Sequence, residues 1–200
     1  MKLNLQKLSY IKIGNIVNDF INTYHVSFSL PIPIEEIAEG KLGIEIIPVK
    51  NLRQQYDADG CLDSSLSRIF IDFDLYINNE NRTRFTIAHE VGHLILHGKE
   101  FGELKIKTPE DIFKLSTGIA DAEYGWLEYQ AYTFAGHVLV PQTALVREIE
   151  RRLGKIPAKK FLPEEIFPIS QELLEIFKVS GEVLTRRLGK EGIIRFDGPI

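Results

Sequence analysis

The chemistry-bearing part of this chain is the stretch RFTIAHEVGHLILHG at 84–98, which places His89, Glu90, His93 and His97 among isoleucine, valine and leucine. Three of the chain's five histidines fall there, each four residues from the next. On an α-helix a four-residue step rotates by about 40°, so His89 and His93 leave the same face one turn apart. Two imidazole nitrogens at that spacing can reach one Zn²⁺ at ~2.0–2.1 Å. Glu90, about 100° further round, stands beside such an ion without binding it, where it can take a proton from an activated water. H-E-x-x-H therefore reads as a hydrolytic metal site, with Glu90 as base. The competing reading is a buried helix with satisfied histidines. It requires two imidazoles and a carboxylate to sit beside Ile87, Val91 and Leu94 without partners, which is costly.

His97 continues the step and lies about 80° from His89, one turn past His93. Ligands on three successive turns of a straight helix rarely converge, so His97 is expected to support a ligand from behind or to cap the helix end. The third ligand must come from elsewhere. The segment DAEYGWLEYQAYTFAGHVLVP at 121–141 offers Glu128 and His137, with Asp121 as an outsider. Glu128 and His137 are nine positions apart, about 180° round a helix, so the two cannot serve one site. Geometry alone leaves them rivals. Tyr124 and Tyr132 share the Glu128 face; with His97 and His137 they are the candidate donors to a developing oxyanion.

The elements that must carry these groups read as follows. Helical spacing of Ile13, Ile16, Val17, Phe20 and Ile21 predicts an N-terminal helix, and a proline-led short helix is expected over 34–39. IEIIPV, ADGCLD and SRIFIDFDL read as strands of one sheet. The metal helix is expected over 83–97, ended by Gly98, and a second strong helix over 126–139, stopped by Pro141. Residues 99–119 read as a loop with a short helix, and 142–153 as a helix. RIFIDFD, just before the metal helix, could serve as an edge strand that holds a peptide.

After the linker-like GKIPAKKFLP, a helix-turn-helix pattern spans about 170–188, with Ser180 as N-cap of its second helix. Arg186, Arg187 and Lys190 follow as cations for a nucleic acid or a partner protein. The expected division is 1–157 for an α+β domain and 158–200 for the helix-turn-helix-like segment.

The 200 residues carry a net charge of −4, so nothing in the balance calls for nucleic acid or an anionic membrane. Only residues 147–200 have a basic excess. No apolar run approaches the ~20 residues of a membrane span. The lone Cys61 excludes an internal disulfide, reads as a buried structural thiol, and suits a reducing, cytoplasmic location.

RFTIAHEVGHLILH followed by EYQAYTFAGHVLVP resembles the ImmA/IrrE family of metallopeptidases, whose members show R-F-x-x-A-H-E-x-G-H-x-x-L-H and then E-x-x-A-x-x-F-A-x-x-L-L-x-P. The resemblance implies a zincin-like domain with a small mixed sheet. It places Glu128 on the family's glutamate ligand, giving His89, His93 and Glu128 as metal ligands. It also implies cleavage of a DNA-binding repressor, with the C-terminal segment similar to a helix-turn-helix. Zinc is the expected ion, and manganese or iron fit the same donors. Gln130-Ala131-Tyr132 departs from the family's usual Ala-Asn or Ala-Asp pair. The alternative is a DNA-binding or sensor regulator with a non-catalytic metal.

Overall fold

The computed structural model describes residues 5–104, 106–111, 121–156 and 160–195. In chain order its elements are α1 (Tyr10–Tyr24), α2 (Ile34–Gly40), β1 (Glu45–Val49), α3 (Leu52–Tyr56), β2 (Gly60–Leu62), β3 (Arg68–Asp72), α4 (Phe73–Asn78), α5 (Glu80–Glu103), α6 (Asp121–Leu139), α7 (Gln142–Leu153), α8 (Pro163–Phe177) and α9 (Gly181–Lys190). The architecture is α+β: a small mixed sheet on a mostly helical body. β1 pairs parallel to β3 and β2 pairs antiparallel to it, in the order β1-β3-β2.

RIFID is thus the central strand and not an edge, which corrects the expectation for a peptide-holding strand. Its burial agrees, since Ile69 and Ile71 are fully buried. The edge beside the metal helix belongs to the shorter β2. The strand also stops sooner than SRIFIDFDL suggests. Asp72 accepts a hydrogen bond from the Leu75 N–H at 3.0 Å and so caps α4, turning the chain from strand to helix within one residue. Asn79 then ends α4 and caps α5, accepting from the Arg82 N–H at 3.1 Å.

α5 runs on to Glu103 and does not end at Gly98. It is kinked at His97, where φ −131° and ψ 16° leave the helical range. α6 begins at Asp121, five residues before the expected start. α5 and α6 pack at close range because Gly92 has no side chain. A Cβ there would lie 3.2 Å from Ala131 Cα, Ala131 O and Phe134 Cβ, at the crossing of the two backbones. The buried Gln130 fixes the other side of α6 by accepting from the Leu8 N–H at 2.9 Å.

One hydrophobic cluster joins Ile13 of α1, Ile71 of β3, Ile87 of α5, Phe134 of α6, Phe177 of α8 and Leu188 of α9. The C-terminal helices therefore share the core of the rest of the molecule. Their connecting turn is tied to α5: the Asn81 side-chain amide donates to Val179 O at 3.3 Å, and Arg84 donates to Lys178 O at 3.4 Å and to Ile32 O at 2.8 Å. Ser180 caps α9, accepting from the Val183 N–H.

Candidate metal centre

α5 carries His89 and His93 one turn apart on its α6-facing side, and α6 lays Glu128 across them. His89 Nε2 lies 3.0 Å from His93 Nε2 and 3.2 Å from Glu128 Oε2, and His93 Nε2 lies 3.6 Å from Glu128 Oε1. Three donors bound tetrahedrally at ~2.0–2.1 Å would stand roughly 3.3–3.4 Å apart. The observed separations bracket that spacing, and the donor set of two imidazoles and one carboxylate suits zinc. No other group of three or more histidines, cysteines or carboxylates comes together in this way among the described residues.

The electrostatics favour a cation at that point. Burial pushes the Glu128 carboxyl up, but hydrogen bonds from His89 and His93 overcome this and hold it well below the usual carboxylate range. Burial pulls the His89 imidazole down, yet contact with Glu128 and the charge of Glu90 raise it above its ordinary value. The ionised Glu128 is thus the negative charge of the triad, and the proton it draws onto His89 is the one a metal ion would displace. Glu90 is buried beside it and is not one of the three grouped donors; its Oε2 accepts from the Leu62 N–H at 2.8 Å. Burial raises its pKa first, with the neighbouring histidines acting against that.

His97 Nδ1 lies 3.2 Å from His93 Nδ1. Burial, and then the charge of His93, push His97 down to about 3, so it is neutral. A metal held at His93 Nε2 would leave the proton of His93 on Nδ1, where His97 Nδ1 is placed to accept it and so to fix the tautomer and the ring. His97 sits at the kink of α5, with its ring centre 5.4 Å from that of His93. Phe101 stacks on the His93 ring with ring centres 4.7 Å apart.

The centre lies in a cleft of about 300 Å³. Tyr132 is half exposed and sets its ring edge-on to His89 at 4.5 Å, while Tyr124 hydrogen-bonds Glu128. Burial and the Glu128 charge raise the Tyr124 hydroxyl far above its ordinary value, so it is a proton-bearing donor at the site. At the mouth, Asp59 pairs with Arg82 at 2.6 Å and Arg53 at 3.5 Å. Cys61 lines the cleft but is buried, and burial pushes its thiol up, consistent with a structural thiol.

Two candidates lie elsewhere. His137 is on the far side of α6, packed on Tyr10 with ring centres 4.5 Å apart and facing Arg187, so it is neither a ligand nor an oxyanion donor. Arg187 is a correction of the same kind. It is buried and donates to Val140 O at 3.1 Å and to the Tyr10 hydroxyl, and it pairs with Glu191, so it offers no outward cation. Arg186 and Lys190 are exposed, Arg186 in a pair with Glu182 at 3.0 Å. The side chain of Asp121 lies outside the described residues. Sequence reasoning missed the Leu62 amide, Gly60 and the Asp59–Arg82–Arg53 group. A backbone donor has no residue-type signature, and only the glycine in "DGC" hinted at a close approach.

A helix bearing His89, Glu90 and His93, a glutamate from the next long helix and a short mixed sheet together define a zincin-like domain of the metallopeptidase type. The family profile described as peptidase M78, the IrrE N-terminal-like domain, matches residues 42–189, and the chain belongs to that family. Among solved structures it is similar to a Mycobacterium tuberculosis transcriptional regulator, at 17% identity and a TM-score of 0.54. The match covers 88% of this chain and 46% of that one, so the chain spans a little under half of the regulator's length. That likeness concerns the fold. No curated protein matches the sequence. Among the described residues, no helix is long and apolar enough to cross a membrane.

Proposed function

We propose that the protein is a cytoplasmic zinc-dependent endopeptidase that cleaves a DNA-binding repressor and so relieves transcription. The observation that carries the reading is the convergence of His89, His93 and Glu128 beside a buried carboxylate, Glu90, that is not one of the three donors. A divalent ion held there supplies Lewis acidity, lowering the pKa of a water towards ~7 and polarising the carbonyl under attack.

The chain's own groups do the rest. His89, His93 and Glu128 hold the ion, and His97 keeps His93 in the binding tautomer. Glu90 takes the proton of the attacking water and passes it to the leaving amine. Tyr124 and Tyr132, both lining the cleft, are the donors available to the developing oxyanion. The repressor as substrate rests on the family, and the exposed Arg186 and Lys190 of α9 are assigned to holding it. The C-terminal pair α8–α9 is read as helix-turn-helix-like in layout, and the segment 158–200 as a recognition element and not a DNA reader.

Elemental mass spectrometry of the purified protein tests the centre: about one zinc per chain is expected, lost in His93→Ala and Glu128→Ala. Glu90→Gln should keep its zinc and lose cleavage of the repressor by at least about 100-fold. Undiminished cleavage by that variant would overturn the peptidase reading.

A further inference from the structure

β2 is an edge strand, and its hydrogen bonds to β3 use alternate residues. The Asp63 N–H donates to Arg68 O at 3.0 Å, and Asp59 O accepts from the Asp72 N–H at 2.9 Å. The backbone groups of Gly60 and Leu62 therefore point away from the sheet. The Leu62 N–H meets Glu90 Oε2 at 2.8 Å. Glu90 is buried on α5, and a buried carboxylate without a donor is costly. A side-chain hydroxyl in this place could rotate. A strand amide cannot, because the register fixes its direction.

That approach depends on Gly60. A Cβ there would lie 2.5 Å from Thr86 Cγ2 on α5 and 3.0 Å from Phe70 O on β3. Glycine lets β2 lie against the metal helix, and the amide two residues on grips the carboxylate. We infer that β2, through the outward amide of Leu62 and the missing side chain at Gly60, is the element that positions Glu90 as the base. This rests on the proposed peptidase reading for what Glu90 does, though not for how Glu90 is held. The amide holds Oε2 and directs Oε1 to the proton of the water; it is a positioning group and takes no part in the bond-making. An extended peptide pairing along β2 finds the Leu62 donor already engaged, so its strand ladder ends beside the base.

Amide hydrogen–deuterium exchange of the zinc-loaded chain reads the contact without any substrate. Leu62 should exchange slowly in the wild type and at least about tenfold faster in Glu90→Ala, the loss of one charge-assisted hydrogen bond. The Cys61 amide, which faces β3, should not change, and this separates the local effect from global unfolding. Glu90→Gln keeps an accepting oxygen, so Leu62 should stay protected while its amide proton resonance moves upfield. Equal Leu62 exchange in wild type and Glu90→Ala overturns the contact.

The second arm replaces Leu62 by its α-hydroxy acid, removing the N–H and keeping the side chain. For a peptide that the wild type cleaves, kcat should fall roughly 10–100-fold with KM and zinc content unchanged. An unchanged kcat overturns the positioning role. A zinc-loaded wild type that cleaves nothing in a peptide mixture counts against the peptidase reading, while the exchange result still decides how Glu90 is held.

Discussion

His97 shows how much one side chain behind a ligand can decide. It is neutral, buried, and 3.2 Å from His93 Nδ1, so with a metal on His93 Nε2 it is placed to accept a hydrogen bond from the His93 Nδ1–H. His97→Ala should weaken zinc binding about 10–100-fold, measured by competition with a chelating dye at neutral pH; an unchanged affinity would mean that the tautomer is set elsewhere. The ligands themselves set the pH dependence. His89 is raised above the ordinary imidazole value, so protons compete for the centre from a higher pH than usual. Zinc affinity should therefore fall steeply as the solution is acidified from about pH 7 to pH 5.5, followed by isothermal titration. A flat profile over that window would contradict the raised His89.

At the scale of elements, the decisive contact is the crossing of α5 and α6. Neither helix holds the centre alone: α5 brings two imidazoles and α6 the carboxylate, and Gly92 lets the backbones come close enough for the three to meet. Gly92→Ala would press a methyl group against the Ala131 backbone, which cannot turn aside as a side chain end can. The expected cost is about 1–3 kcal/mol of stability, read by urea denaturation, together with weaker zinc binding as Glu128 is drawn away. A variant as stable and as tight-binding as the wild type would show that the helices can slide past the added methyl.

For the whole molecule, the question is how the C-terminal helices are held. Arg187 reaches from α9 to the Tyr10 hydroxyl on α1 and to Val140 O at the end of α6, with Glu191 as its counter-charge and His137 against it. Arg187→Ala takes the counter-charge from the little-exposed Glu191 carboxylate, leaving it only the Tyr10 hydroxyl, and should destabilise the whole chain by about 3 kcal/mol in chemical denaturation. Loss of α8–α9 alone, with the remainder still folded, would contradict a shared core. His137 adds a pH dependence. Burial, then the Arg187 charge, depress it to about 3. The unfolded chain binds this proton and the folded one does not. The contribution is thus complete above the unfolded value of about 6.5 and is lost as pH falls towards 3. Between pH 6.5 and pH 5 the loss should be about 1.6 kcal/mol, and His137→Phe should reduce that slope.

Local features follow from the order of residues alone. The four-residue step of His89 and His93, the offset of Glu90, the periodicity of α1 and α6 and the cap at Ser180 all depend on neighbours a few positions away, so they are legible in one dimension. The family motif singled out Glu128, which periodicity alone left level with His137. Other features needed the tertiary structure, because they depend on what comes from far along the chain. A strand's pattern does not say whether it lies at the centre or the edge, and RIFID became central only when β1 and β2 paired on its two sides. A basic residue on an amphipathic helix does not say which way it will turn, and Arg187 went inward because Tyr10 and Glu191 were there to receive it. The Leu62 amide that meets Glu90 carries no residue-type signal, since every residue but proline has that N–H and only the packing of β2 on α5 gives this one its task.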